Sequence, residues 1–187
     1  MSSRLAVLRA WGAPRTLLTA LALAGAVQLA ASAYVGLPAF AAEIPALDLA
    51  APAAALLLAS PLVDQTPDLT LRAVRPLWRV LLLRYALVQA CGAVVLVSLT
   101  LTAWTLSRAL VLVVFLAGSA VAVAAVEAWF WVPVLAASYA WLWRAQQRGA
   151  AEDDVALTSA LATLVLGGLV FVAAGTWRAH RARCPPR

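Results

Sequence analysis

The chain has 187 residues, 65% hydrophobic and only 12% charged, against roughly 45–50% apolar and 25% charged in soluble domains. That excess of apolar surface excludes an ordinary soluble fold and leaves room for about five to seven membrane crossings and little else. The net charge of +6 comes from fourteen arginines with no lysine. These flank apolar runs and form no continuous basic face, which points to membrane topology and away from nucleic-acid binding.

The pattern predicts an all-α, polytopic membrane helix bundle in a single domain over residues 1–187. It has six transmembrane helices behind an N-terminal interfacial helix. In residues 1–15, Leu5, Leu8 and Trp11 share a helical face with Arg4, Arg9 and Arg15 between them, and Pro14 ends the pattern. A disordered basic lead-in is the alternative. The arginines ahead of an apolar stretch with small-residue sites imitate a secretory signal. The stretch 16–40 is nevertheless long enough to cross with tilt and is read as a retained first span.

Glu43, Pro45 and Asp48 then form an outside loop. The second span, 47–63, is short and carries Pro52 and Pro61. Residues 64–79 are the longest polar stretch, a cytoplasmic loop in which Asp68 and Arg72 stand at i,i+4 and Pro76 begins the next element. The third span is 80–106, with Arg84 snorkelling to the interface beside Arg79.

After a turn at Ser107 and Arg108, residues 109–143 are too long for one crossing and split around Glu127 into spans 109–126 and 128–143. Trp129 and Trp131 then occupy one interface and Trp141 and Trp143 the other. A charged loop, 144–154, leads to the last span, 155–177, which contains Gly167 and Gly168, and to a basic tail. With both ends inside the cell membrane's cytoplasmic face, eleven arginines are cytoplasmic and only Arg108, Arg144 and Arg148 are outside.

Residues for catalysis are scarce. His180 is the only histidine, which excludes paired-histidine haem ligation and an HExxH zinc site. With no lysine there is no phosphate-loop lysine either. Cys91 and Cys184 lie too far apart in depth to form a disulfide and show no metal-ligand spacing. Ser98, Thr100, Thr102, Ser119, Thr158, Ser159 and Thr163 lack a partnered base and read as helix-contact hydroxyls. Glu127 reads as an interfacial turn residue, with a proton or cation site as the alternative. The chain is therefore expected to be no enzyme and to carry no cofactor.

The run Leu58-Ala-Ser-Pro-Leu-Val-Asp64-Gln-Thr-Pro67-Asp-Leu, followed by Arg75-Pro76-Leu-Trp78-Arg79, resembles a stretch in small permease-like membrane proteins of actinobacteria that accompany ABC-type ATPases. The amphipathic start, six spans and structured second-to-third loop also resemble the membrane half of exporter-type ABC transporters. The resemblance implies a permease subunit, as a homodimer or with a second permease, driven by a separate cytoplasmic ATPase. In such permeases the loop is the coupling element, here offering Asp64, Asp68, Arg72, Arg75 and Arg79. The specific likeness covers about twenty residues, and the short, charged connection before the last span departs from the longer re-entrant segment of exporters. The other reading of the loop is a connector whose arginines meet anionic lipid headgroups. The rival function is a structural or assembly subunit of a larger membrane complex.

The arginine asymmetry gives a direct test. A reporter fused after Arg187 is expected on the cytoplasmic side and one inserted at Gly149 on the opposite side. A C-terminal reporter outside the cell would overturn the six-span topology.

Overall fold

A computed structural model describes residues 12–38, 40, 42–63, 76–102, 105–148 and 155–183, and these are mostly helical. The expected interfacial helix lies, up to Trp11, outside the described residues. Pro14 opens a helix instead of ending one: α1, Ala13–Leu29, places it in the first turn. There a proline lacks nothing, because the first helical N–H groups have no intrahelical acceptor anyway.

α1 is 17 residues, about 26 Å long, and stops eleven residues short of the expected end of the first span. The chain turns at Ala30–Ala33, and Gly36 and Pro38 beyond keep it from resuming a helix, since proline disfavours helical backbone in the residue before it. The chain instead makes a two-stranded antiparallel ribbon, β1 Tyr34–Val35 with β2 Ile44–Pro45, in which Val35 faces Ile44. Ala46 N–H donates to the Ala33 carbonyl and closes the ribbon onto the next element.

The stretch expected as the second span, 47–63, is helical in three short pieces. A 3₁₀ turn, Ala46–Leu49, runs into α2, Ala50–Leu58, and a second 3₁₀ turn, Ser60–Leu62, follows. Pro52 sits in the first turn of α2 and Pro61 in the closing 3₁₀ turn, so neither removes a hydrogen bond from a helix interior. α2 is the centre of the bundle: Ala50, Ala51, Ala54, Ala55, Leu58 and Ala59 are all buried in the main apolar core. It touches α1 and the three helices α3, α5 and α6 described next.

α3 spans Leu77–Leu101, a four-residue α4, Leu106–Ala109, leads through Leu110 into α5, Val111–Val126, and a 3₁₀ turn, Glu127–Trp129, gives the expected break. α6 is Trp131–Arg148 and α7 is Leu157–Arg183. Both run past their expected ends, so Arg144 and Arg178 are helical. The hydrophobic pattern marks where lipid contact stops, which is not where a helix must stop.

Three stretches are long and apolar enough to cross a membrane: Leu77–Leu101, Leu106–Trp129 and Leu157–Arg181. α1 and the segment Ala46–Leu62 are apolar but shorter. α6 is diluted by Arg144, Gln146 and Gln147 at its end.

Small residues set how closely the helices approach. A Cβ added at Gly167 would lie 3.0 Å from both the Cβ and the carbonyl oxygen of Ala117, so α7 rests directly on the backbone of α5. At Gly168 it would lie 2.9 Å from the ring of Tyr85, and at Gly175 2.6 Å from Leu81 Cδ1, which brings α7 against α3. Tyr85 hydroxyl donates to the Leu164 carbonyl at 2.6 Å and fixes the register of that contact.

Gly167→Val should therefore lower the thermal stability of the purified chain by about 1–3 kcal/mol, since backbone must move to admit the side chain. Gly118, with nothing within 4 Å of its added Cβ, is the control, and Gly118→Val should be near neutral. Equal losses at the two sites would refute the close α5–α7 crossing.

Candidate functional site

The turns gather at two ends of the bundle. At one, Val155 N–H donates to the Ser107 carbonyl and Gln146 Nε2 to the Ala42 carbonyl. These contacts join the three connections expected on one side, 41–48, 107–108 and 144–154. At the other end, Arg178 reaches Glu127.

The first end holds a buried ion pair. Asp48, in the 3₁₀ turn before α2, is 3% exposed. Arg108 in α4 places Nη2 at 2.7 Å from its Oδ1 and 3.0 Å from its Oδ2. A carboxylate removed from water this completely requires a cation to stay charged. Arg108 supplies it from 60 positions along the chain. Pairing also accounts for an arginine on the side where the topology expects few. Sequence reading placed both residues in same-side connections and treated each as a solvated loop charge. An acid at the head of an alanine-rich segment, with one arginine in the facing turn, was the available signal.

At the second end, α5 closes on Val126 and Glu127 turns the chain with φ 52° and ψ −117°, backbone that suits glycine and strains a larger residue. Arg178 holds the turn. Its Nη1 donates to Glu127 Oε1 at 2.6 Å and its Nη2 donates to the Ala124 carbonyl. The second bond satisfies a carbonyl in the last turn of α5 that has no intrahelical donor, and the cation lies at the negative end of the helix dipole. Glu127 is thus a turn residue in an ion pair, its side chain 66% exposed.

Aromatic side chains mark both ends. Trp129 and Trp131 have ring centroids 5.9 Å apart beside Glu127, while Phe40, Tyr139 and Trp143 cluster near the other end. Trp141 instead turns inward to Phe115, edge to face at 5.9 Å. The guanidinium of Arg181 lies 3.8 Å above the Trp177 ring and that of Arg79 5.1 Å above Trp78.

Of the proposed partner-binding residues, Asp64, Asp68, Arg72 and Arg75 lie outside the described residues. Arg79 is exposed in the first turn of α3. Arg84, expected to snorkel, is instead 5% exposed within the bundle. Two turns of α3 hold it on the face that packs inward with Val80, Leu81 and Tyr85, so its reach toward the interface is taken up inside the protein.

The buried hydroxyl groups are satisfied close to home. Ser119 Oγ donates to the Leu116 carbonyl, Ser138 Oγ to Val134 and Thr16 Oγ1 to Gly12, each on its own helix or at its start. One cluster bridges helices: Gln28 Nε2 donates to Ser98 Oγ and to the Ser98 carbonyl at 2.8 and 2.7 Å, and Ser98 Oγ donates to the Ala24 carbonyl. Cys91 is a buried free thiol, and Cys184 lies outside the described residues. Among the described residues, no three His, Cys, Asp or Glu side chains come together as a metal site would require.

Three long apolar helices, internally bonded hydroxyls and aromatic residues at both ends define a helical membrane protein. No family model matches the chain, and neither the curated proteins nor the solved structures contain a match to it.

The buried pair has a measurable consequence. Arg108→Gln should destabilise the folded chain by about 3–5 kcal/mol, because Asp48 is left charged and buried. Combining it with Asp48→Asn should cost less than the sum of the single changes, with a coupling of about 0.5–3 kcal/mol. Additive effects in a thermal-unfolding cycle would show that the pair does not hold the first end together.

Proposed function

We propose that the chain is a multi-pass subunit of the cell membrane, crossing six times with both ends cytoplasmic, that acts as a non-transporting assembly subunit of a larger membrane complex. One observation supports this reading above the others. Among the described residues the interior is largely apolar, its two buried charged residues are Asp48, paired with Arg108, and Arg84, and its buried hydroxyls at Thr16, Ser98, Ser119 and Ser138 are bonded to helix backbone, an arrangement that favours packing over a continuous polar path. A transported solute needs a sequence of polar partners replacing its water, or a water-filled path. Packing against a neighbour needs only shape and small residues.

The second reading, a permease subunit working as a dimer or with a second permease and driven by a separate ATPase, is favoured by the placement of Arg79. It stands exposed in the first turn of α3, where the charged 64–79 loop joins the bundle. In that reading Asp64, Asp68, Arg72, Arg75 and Arg79 dock the ATPase, and the substrate path lies between chains.

Affinity purification in mild detergent separates the two. The assembly reading expects an integral membrane partner in stoichiometric amount, with no ATPase. Recovery of an ATPase whose hydrolysis falls when Arg72 and Arg75 are both reversed to Glu would overturn it in favour of the permease, since a partly desolvated charge contact of this kind contributes about 2–5 kcal/mol. Recovery of the chain alone would also refute the assembly role.

A further inference from the structure

Among the described residues Glu127 alone has a positive φ without being glycine, and the other residue with a positive φ is Gly12. Its φ of 52° and ψ of −117° belong to a turn position where a Cβ crowds the backbone, so a side chain is kept here against strain. What that side chain gains is Arg178. An exposed ion pair by itself holds little, but this guanidinium makes two bonds at once, one to the Glu127 carboxylate and one to the Ala124 carbonyl in the last turn of α5. It ties α7 to the strained residue and to the helix end before it. The same turn starts α6. Beyond it Trp129 and Trp131 are exposed, and α6 packs inward through Phe130, Val134, Ser138 and Leu142, chiefly against α5 and α2. The far end of α6 is fastened independently, by Gln146 Nε2 on the Ala42 carbonyl and by Phe40 against the Tyr139 and Trp143 rings.

From these contacts we infer that the Glu127 turn is a latched joint, in which Arg178 holds in the strain at Glu127 and loosening of the α7 end lets the start of α6 open away from α5. Strain and latch meet on one residue and can still be separated. Glycine at 127 removes both together, whereas neutralising Arg178 removes the latch and leaves the strain. Arg178 lies in the last turns of α7, past the apolar stretch expected to span, so the position of that helix end sets how firmly α6 is seated. The joint belongs to the single chain and stands apart from which complex the chain joins.

Hydrogen–deuterium exchange of the full-length chain in detergent, followed by mass spectrometry, tests it. The reporters are the amides of Phe130 and Val134, which donate to the Glu127 and Phe130 carbonyls across the joint. Arg178→Gln should speed their exchange by roughly tenfold, because the strain at Glu127 is then unopposed and the turn opens locally. Residues 139–146, at the fastened far end of α6, should exchange as in wild type. Adding Glu127→Gly to Arg178→Gln should bring the reporters back to within about twofold of wild type, since a turn without strain needs no latch. The inference is overturned if Arg178→Gln leaves the reporters unchanged, if it speeds exchange equally along all of α6, or if glycine does not restore protection. Should Arg178→Gln not fold alone, the double variant carries the test: it is expected to fold and to exchange like wild type, and its failure to do so counts against the joint.

Discussion

The structure depends on the close burial of a short, alanine-rich segment. In a bilayer the lipid tails are as apolar as leucine, so helices gain little by hiding apolar surface from each other and associate through tight van der Waals contact. α2 supplies that contact with Ala50, Ala51, Ala54 and Ala55, which bring neighbouring backbones near without side chains between them. Its nine helical residues, about 14 Å, cross only together with the 3₁₀ turns that extend them on either side. Its polar ends therefore fall where water is scarce and must be satisfied by protein. The 3₁₀ turns at both ends and the pairing of Asp48 with Arg108 answer that requirement.

The two ends of the bundle solve a charge problem in different ways. At the ribbon end the acid is buried and the arginine is brought to it. At the Glu127 end the acid is exposed, and Arg178 joins it to a helix carbonyl, so that one side chain closes α5 and fastens α7 together. The first arrangement stabilises a charge that has no access to water, and the second draws on a helix terminus that water already reaches.

Much of the helix order was legible, because long apolar runs ending in arginine and tryptophan carry their meaning locally. The break at Glu127 followed from length alone: no single helix of residues 109–143 fits a hydrocarbon slab about 30 Å thick. The early end of α1 was harder to see, since Ala30 to Ala33, where the chain turns, would be at home in a helix. Arg84 was misplaced because snorkelling describes an arginine with lipid around it, whereas the α3 face bearing Val80, Leu81 and Tyr85 packs inward. The Asp48–Arg108 pair could not be read, because it joins residues 60 apart through the three-dimensional path of the helices between them. Of the expected docking residues, only Arg79 falls where its surroundings can be described.

The 60-residue separation within that pair also orders the protein's birth. At about 5–20 residues per second, Arg108 emerges from the ribosome about 3–12 s after Asp48. During that interval Asp48 is without Arg108, the cation it meets in the folded chain. The contact that fastens the turn before α2 to α4 therefore closes only after the helix between them, α3, has been made.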